Sequence, residues 1–420
     1  VSARAGAAKE KGKKTMFVEI HILQNFPPSN LNRDDVGQPK EADFGGVRRA
    51  RISSQCLKRS IRYAGRAAGV PSVFERSTGV PLSARTKLMS KPLSARLQAA
   101  GKPEDAAEAV AVAVAEAYAG KLDEKRKGET AVLLYLSARE LDGIAEKLID
   151  RWEHAAPQAA ARAPEGKAAK KAGKGEASVI DEIVKALIKE TQTRTGAPDI
   201  ALFGRMLADK PETNVDAACQ VAHAISTHAV HKADIDYYTA MDELKVDEPG
   251  AGFLDVAYFN SACFYRYARI DVRLLTRNLG GDVELARRAV GAFIRASEAA
   301  VPSGKKNSHA QETRPSLVAA VVRTDDSQGW SLVNAFEKPV RTGTEAGLVA
   351  QSARELSAEF QDHLDSYGAQ SVVACSAFAR RQAREALSGR LGESVVGGDG
   401  ERSALDVLVD AVQAALAKGA

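Results

Sequence analysis

VRRARISSQCLKRSIRYAGRAAG, residues 47–69, decides the fold. VRRARI (47–52) follows the Gly45–Gly46 pair and reads as an extended segment. ISSQCLKRSIRYAGRAAG, from Ile52 on, has helical periodicity. Ser53 or Ser54 serves as the N-cap, its hydroxyl accepting from the first free backbone amides. At 100° per residue, Leu57, Ile61, Ala64 and Ala68 form one narrow stripe, and Gln55, Lys58, Arg59, Arg62 and Arg66 gather on the opposite side. One face packs and the other is cationic.

On the N-terminal side, FVEIHILQ (17–24) alternates apolar residues and predicts a strand, and FPPSNLNRDD, rich in Pro, Asn and Asp, predicts a long loop. On the C-terminal side, SACFYRYARIDV (261–272) and LVAAVVR (317–323) predict strands, and VELARRAVGAFIRASEAAV (283–301) an amphipathic helix. The order strand, helix, strand, helix, strand is that of a split ferredoxin-like or RNA-recognition-motif unit, an α+β fold. Residues 71 to about 200 interrupt it with Ala-rich helical periods at 104–120, 129–152 and 178–191, which predicts a helical insertion. Within the insertion, residues 155–178 are Ala, Gly and Lys without apolar periodicity. Such composition buries too little surface to offset its ordering entropy, so a mobile basic loop is expected. From 350 on, the chain reads as helical.

With 420 residues, 45% hydrophobic and 27% charged, the chain is globular and long enough for two or three packed units. It has no run of about 18 apolar residues and no signal-like apolar core at the start, so no membrane partner is expected. The four cysteines, 56, 219, 263 and 375, form no CxxC pair, so neither a zinc ribbon nor a disulfide framework is supported and a reducing cytoplasm is expected. The net charge of +5 is unevenly placed. Residues 44–74 carry +7 with no acidic residue, the first sixteen carry +4 and residues 155–178 carry +3, leaving −9 for everything else. Positive charge concentrated in this way suits a surface that meets a polyanion.

The cationic helix face is the strongest of the candidate sites. A charged helix face is ordinarily its solvated side and mixes signs. This one does not, and like charges at i,i+4 repel unless an anion neutralises them, which favours phosphate contact. Guanidinium groups bond phosphate oxygens bidentately and the amides at the helix start add a second anion site. In VPSGKKNSHA (301–310), Gly304 with Lys305, Lys306 and Asn307 lets backbone approach a phosphate, and equally describes a plain surface turn. Tyr265, Tyr267 and Arg269 share a strand face, either as a stacking platform for bases or as ordinary sheet packing, the reading preferred here. His223, His228 and His231 are spaced by five and three, which does not put all three on one helical face, so zinc is not expected. Asp34 and Asp35 in NRDD could hold a divalent cation for phosphodiester cleavage, or bond loop backbone and Arg33. No Walker A sequence, GxSxG or recognisable Cys/His dyad is present, so no cofactor is expected.

LQNFPPSNLNRDDVGQPKEADFGGVRRARISSQCLKRSIR resembles the backbone subunits of type I-E Cascade, the CRISPR surveillance assembly (the CasC family). Further matches run in family order through DIALFGRM (199–206), QVAHAISTHAV (220–230), DIDYYTAMDEL (234–244), FYRYARIDV (264–272), NLGG (278–281) and NAFEKPV (334–340). The resemblance implies a hand-like molecule. An RNA-recognition-motif-like palm would occupy 16–70 and 246–345, a helical fingers domain 71–195, and a protruding thumb 196–245. These would follow an N-terminal extension (1–15) and precede a C-terminal helical region (346–420). It implies a non-enzymatic scaffold whose copies stack along the CRISPR RNA, present it to target DNA and assemble with other Cascade subunits. By motif position, Arg33, Lys40, Ser53, Ser54, Gln55, Lys58, Arg59 and Arg62 would contact the guide backbone, Arg205 and Met206 would lie in the thumb near a displaced nucleotide, and Lys305, Lys306 and Asn307 would help hold the guide. The alternative is a metal-dependent endoribonuclease using Asp34 and Asp35.

Overall fold

The computed structural model describes residues 15–126, 128–162, 178–191, 195–207, 210–230, 233–241, 244, 251–324, 328–341 and 346–419. Among them are eleven strands: β1 (Phe17–Ser29), β2 (Glu41–Phe44), β3 (Val47–Ile52), β4 (Ala84–Thr86), β5 (Leu134–Leu136), β6 (Cys219–Val221), β7 (Ala224–Ser226), β8 (Asp234–Met241), β9 (Ala251–Asp271), β10 (Leu317–Arg323) and β11 (Val372–Ala379). The chain is α+β and divides into two compact units. The first draws on Val1–Ser77, Cys219–Val272 and Arg287–Ala420, the second on Thr78–Ala218 and Arg273–Ala286. No described helix is long and apolar enough to cross a membrane.

The first unit is built on a sheet in the order β11-β10-β1-β9-β7-β3-β2, with β6 and β8 also paired to β9 and all neighbours antiparallel. β1 and β9 are its centre. Helix α1 (Ser54–Tyr63) is the basic segment of the sequence, and Leu57 and Ile61 are the buried stripe read from its periodicity. Ile20, Ile22, Leu57, Ile61, Val221, Ala268 and Ser297 line one small internal cavity, which places α1 and the helix Val283–Ala299 on the same sheet face.

The alternate residues of β1 face the other way. Leu23, Tyr265, Tyr267, Ala319 and Val321 pack with Trp330, Leu332, Phe336 and with Val349, Leu356 and Phe360 of the helix Gly347–Tyr367. Both faces are therefore covered, and Phe17 to Gln24 is buried without a break. This corrects the stacking-platform alternative for Tyr265, Tyr267 and Arg269. The Tyr265 hydroxyl bonds His21 Nδ1 at 2.9 Å and accepts from the Leu332 amide at 3.0 Å, and sheet packing is the reading that holds. The C-terminal segment is not wholly helical either. Gly368 ends the long helix and VVACSAFA forms β11 against β10, a strand hidden in the sequence by its small residues.

Two polar groups are sealed under this second layer. Glu19 Oε1 accepts from Arg323 Nη1 (3.2 Å), the Trp330 amide (2.9 Å) and the Tyr267 hydroxyl (3.3 Å). His21 is held neutral: burial first, then His363 and Arg323, push its pKa down to about 3. Below the ordinary His value the unfolded chain takes up a proton that the folded unit refuses. The contribution is thus complete above pH 6.5 and is lost at about 1.4 kcal/mol per pH unit as pH falls toward 3. Chemical denaturation of His21→Phe between pH 4 and 6.5 should show a correspondingly flatter stability profile than the parent chain.

The second unit is helical around a core of Leu93, Leu97, Val110, Val114, Ile144, Leu148, Ile183 and Leu187. The expected helical period over 129–152 is a strand and a helix, β5 and Ala138–Asp150. Ser137 divides them with a capping box: its hydroxyl accepts from the Glu140 amide (3.1 Å) and the Glu140 carboxylate accepts from its own amide (2.8 Å). Of the basic loop expected at 155–178, residues 155–162 are instead helical, within Trp152–Arg162; residues 163–177 lie outside the described residues, as do residues 1–14.

Residues 196–245 are not one body. Up to Ala218 they belong to the second unit, and from Cys219 to the first. Strand β8, within this range, pairs with β9 in a hairpin that carries several exposed apolar side chains. There Tyr237 (68%), Leu254 (69%), Phe253 and Ile235 show their side chains to solvent.

Candidate nucleic-acid interface

Three segments of the first unit converge. Asn32 Oδ1 accepts from the Ser53 amide at 2.9 Å, which ties the loop after β1 to the start of α1. Within that loop, Asp34 Oδ1 accepts from the amides of Val36 (3.0 Å) and Gln38 (2.8 Å), an Asx turn, and Lys40 N bonds Asn32 O at 2.8 Å. Gly304 packs so closely that a Cβ there would collide with the carbonyl oxygens of Asn30 and Leu31, which brings the 301–310 turn onto the same loop. Gln311 holds that turn through the carbonyls of Gly304 (2.8 Å) and Pro302 (3.3 Å). The result is a groove of about 470 Å³ lined by Leu31, Asn32, Arg33, Asp34, Asp35, Gly37 and Gly304.

Around it the expected residues divide. Ser53 caps α1, its hydroxyl accepting from the Cys56 amide at 3.3 Å. Ser54 and Gln55 occupy the first turn, and Lys58, half-buried, and Arg59, exposed, follow on one face. Lys40 lies close enough to depress both the Cys56 thiol and the His223 imidazole, although burial dominates each: it raises Cys56 and lowers His223. Arg33, Lys305, Lys306 and Asn307 are exposed, with Lys305 in the left-handed region and Lys306 paired to Glu312 at 2.5 Å.

The charge count of residues 44–74 overstates what faces solvent. Arg49 is fully buried, Arg62 is 5% exposed, Arg48 pairs with Glu41 (3.3 Å) and Asp43 (3.4 Å), and Arg51 bonds the Glu41 carbonyl and His223 Nδ1. Arg62, expected on the cationic side, is buried at the end of α1 with Ile61. The guanidinium groups of Arg59, Arg62 and Arg66 surround the Tyr63 ring at 5.0–5.5 Å, so the ring's negative face relieves their mutual repulsion.

Arg205 and Met206 are in the second unit and differ from one another. Arg205, 6% exposed, donates to Glu140 Oε1 (2.7 Å), the Tyr135 carbonyl (3.1 Å) and the Thr213 carbonyl (2.9 Å). Its guanidinium thus forms an internal ion pair. Met206, 84% exposed, lies at the rim of a cavity of about 570 Å³ shared with Arg85, Leu133 and Phe203. Among the described residues no three His, Cys, Asp or Glu side chains gather in a way that could hold a metal ion. His228 bonds the Ala229 carbonyl and the Cys263 amide, and His231 lies outside the described residues.

Sequence reasoning missed the residues whose hydrogen bonds shape the groove, Asn30, Asn32 and Gln311. Asn30 Nδ2 donates to Gly37 O (3.0 Å) and Tyr258 O (2.8 Å). Paired asparagines in a Pro- and Asp-rich loop are a legible sign of such side-chain-to-backbone bonding.

The chain belongs to the CT1975-like protein family, whose model matches residues 18–395. It is similar to a chain of a solved CRISPR RNA-guided surveillance complex in a pre-nicking state, with 31% identity, a TM-score of 0.75, and coverage of 95% of this chain and 100% of that one. A chain of another CRISPR RNA-guided surveillance complex gives 27% identity and a TM-score of 0.66, covering 95% and 99%. No curated protein sequence matches the chain.

Proposed function

We propose that this member of the CT1975-like family is the guide-binding backbone subunit of a type I-E Cascade. In this reading it is a non-enzymatic, cytoplasmic scaffold that polymerises along the CRISPR RNA and leaves base edges free to pair with target DNA. The observation that carries the reading is the convergence of the 31–40 loop, the start of α1 and the Gly304 turn on one surface bearing Arg33, Lys40, Lys58, Arg59 and Lys305. Its likeness over 95% of the chain to a component of an RNA-guided complex supports it. Phosphate contacts of this kind fix register without reading sequence, and discrimination then falls to base pairing. The first unit serves as palm and the second as fingers. The β8–β9 hairpin, whose first strand lies within 196–245, serves as the thumb, its exposed aromatic residues meeting the next copy.

Co-expression with a CRISPR array and other Cascade subunits tests the reading. Native mass spectrometry should find several copies of the chain on one nuclease-sensitive RNA, and recovery of RNA-free oligomers would reject it. If five cations each neutralise one phosphate, log K falls against log salt with a slope of about −3.5 per subunit, at about −0.7 per contact for single strands. Filter binding across a salt series checks this. Incubation of the complex with Mg²⁺ and complementary RNA should leave that RNA intact; cleavage abolished by Asp34→Ala would replace the scaffold with a ribonuclease.

A further inference from the structure

Three motifs have no part in the interface as described: the FGG turn, STH at 226–228, and FEKPV at 336–340. They meet at Arg49. Its Nη2 donates to the carbonyls of Phe336 (2.7 Å) and Glu337 (3.2 Å), its Nη1 to Ser226 O (3.2 Å) and its Nε to Phe44 O (3.3 Å). The fork therefore joins the β2–β3 turn, β7 and the end of the helical turn Leu332–Phe336 through four backbone oxygens and no carboxylate. The turn itself is seated on the same segment, since a Cβ at Gly45 would collide with Glu337 O. Ser226 completes the arrangement: its hydroxyl accepts from the Ala50 amide at 3.1 Å and donates to His228 O at 2.7 Å.

β3 needs such a device. Its ladder with β7 contains only the pairs Arg51–Ile225 and Ile52–Ala224, too few to specify a register by themselves. Yet β3 runs directly into Ser53 and α1, so a slip of one residue would carry the helix start by about 3.3 Å, beyond the tolerance of a hydrogen bond to phosphate. We infer that Arg49 is a positioning residue for guide binding: its buried guanidinium fork, with Ser226, sets the register of β3 and thereby the place of Ser53, Lys58 and Arg59 on the RNA. Lysine cannot substitute, because a point charge with three donors does not reproduce a planar fork reaching four separated carbonyls.

The inference rests on the guide-binding reading, and its test separates the two. Guide affinity and its salt slope are measured for Arg49→Met and Ser226→Ala well below each variant's unfolding temperature, together with amide exchange over residues 50–57. Arg49→Met should lower affinity at least tenfold with the slope unchanged, since no phosphate contact is deleted, and amides 50–57 should exchange faster. Ser226→Ala, which removes no charge, should show the same pattern at about threefold, and decides the matter if Arg49→Met does not fold. Parental affinity with parental exchange in the folded variant overturns the inference. So does a slope reduced by about 0.7 in Arg49→Met, which would make Arg49 a direct contact. A parent chain that binds RNA without salt dependence overturns the guide-binding reading instead, and the exchange measurement then still reports on the register.

Discussion

Lys58→Glu combined with Arg59→Glu lowers guide affinity by about 100-fold or more, and by the same factor for guides of every sequence. Arg59 is exposed and Lys58 half-buried, both on the cationic side of α1 and off the stripe of Leu57 and Ile61, so reversal removes contacts and leaves that stripe in place. A hydrogen bond to a charged group contributes about 1.5–3 kcal/mol, two such losses reach about 3–6 kcal/mol, and the introduced carboxylates add repulsion. The salt slope should fall by about 1.4, two contacts at about 0.7 each. Titration of three guides of unrelated sequence at three salt concentrations is sufficient. A loss confined to one guide would mean base readout and defeat the assignment. Arg62→Glu, on the same helix, should behave differently: its position is buried, so the variant loses folded protein before it loses affinity.

Arg205→Met produces the largest expected change in stability. Arg205 and Glu140 are 4% and 1% exposed at the side chain and 2.7 Å apart, and Glu140 also closes the capping box of its helix. Removing the cation leaves a buried carboxylate unpaired, which costs about 3–5 kcal/mol. At about 2–4 °C per kcal/mol for a unit of this size, the unfolding transition of the second unit should move down by about 10 °C in calorimetry. Adding Glu140→Gln removes the stranded charge and keeps an acceptor for the Ser137 amide, so the double variant should be more stable than Arg205→Met alone. An unchanged transition with reduced RNA binding would instead restore Arg205 to the guide.

How far the site was legible depends on which side of an element each residue occupies. For α1 the 3.6-residue period separated Leu57 and Ile61 from Lys58 and Arg59, since an amphipathic helix must bury its stripe. At the helix end the same period put Arg62 on the cationic side, where the folded chain buries it. The loop motif SNLNRDD disclosed a loop whose aspartates could bond its backbone, and Asp34 uses its carboxylate in that way, while the bonds of Asn30 and Asn32 were not read. For VRRARI, alternation puts Arg49 and Arg51 on one face, but nothing in the string says that Arg49 is entirely interior and Arg51 half-exposed. That depends on Phe336 and Glu337, which lie far away along the chain.

The order of strands and helices in the first unit, the helical character of the second and the cationic surface of α1 were set by local pattern, because period and capping act over a few residues. Long-range contact alone decided that a helix from the C-terminal third roofs the sheet, burying Tyr265 and Tyr267, and that the β8–β9 hairpin keeps Tyr237 and Leu254 exposed. It also turned Arg49 and Arg205 inward. A guanidinium can be buried only where enough carbonyls or a carboxylate meet it, and which oxygens meet is a property of the folded chain.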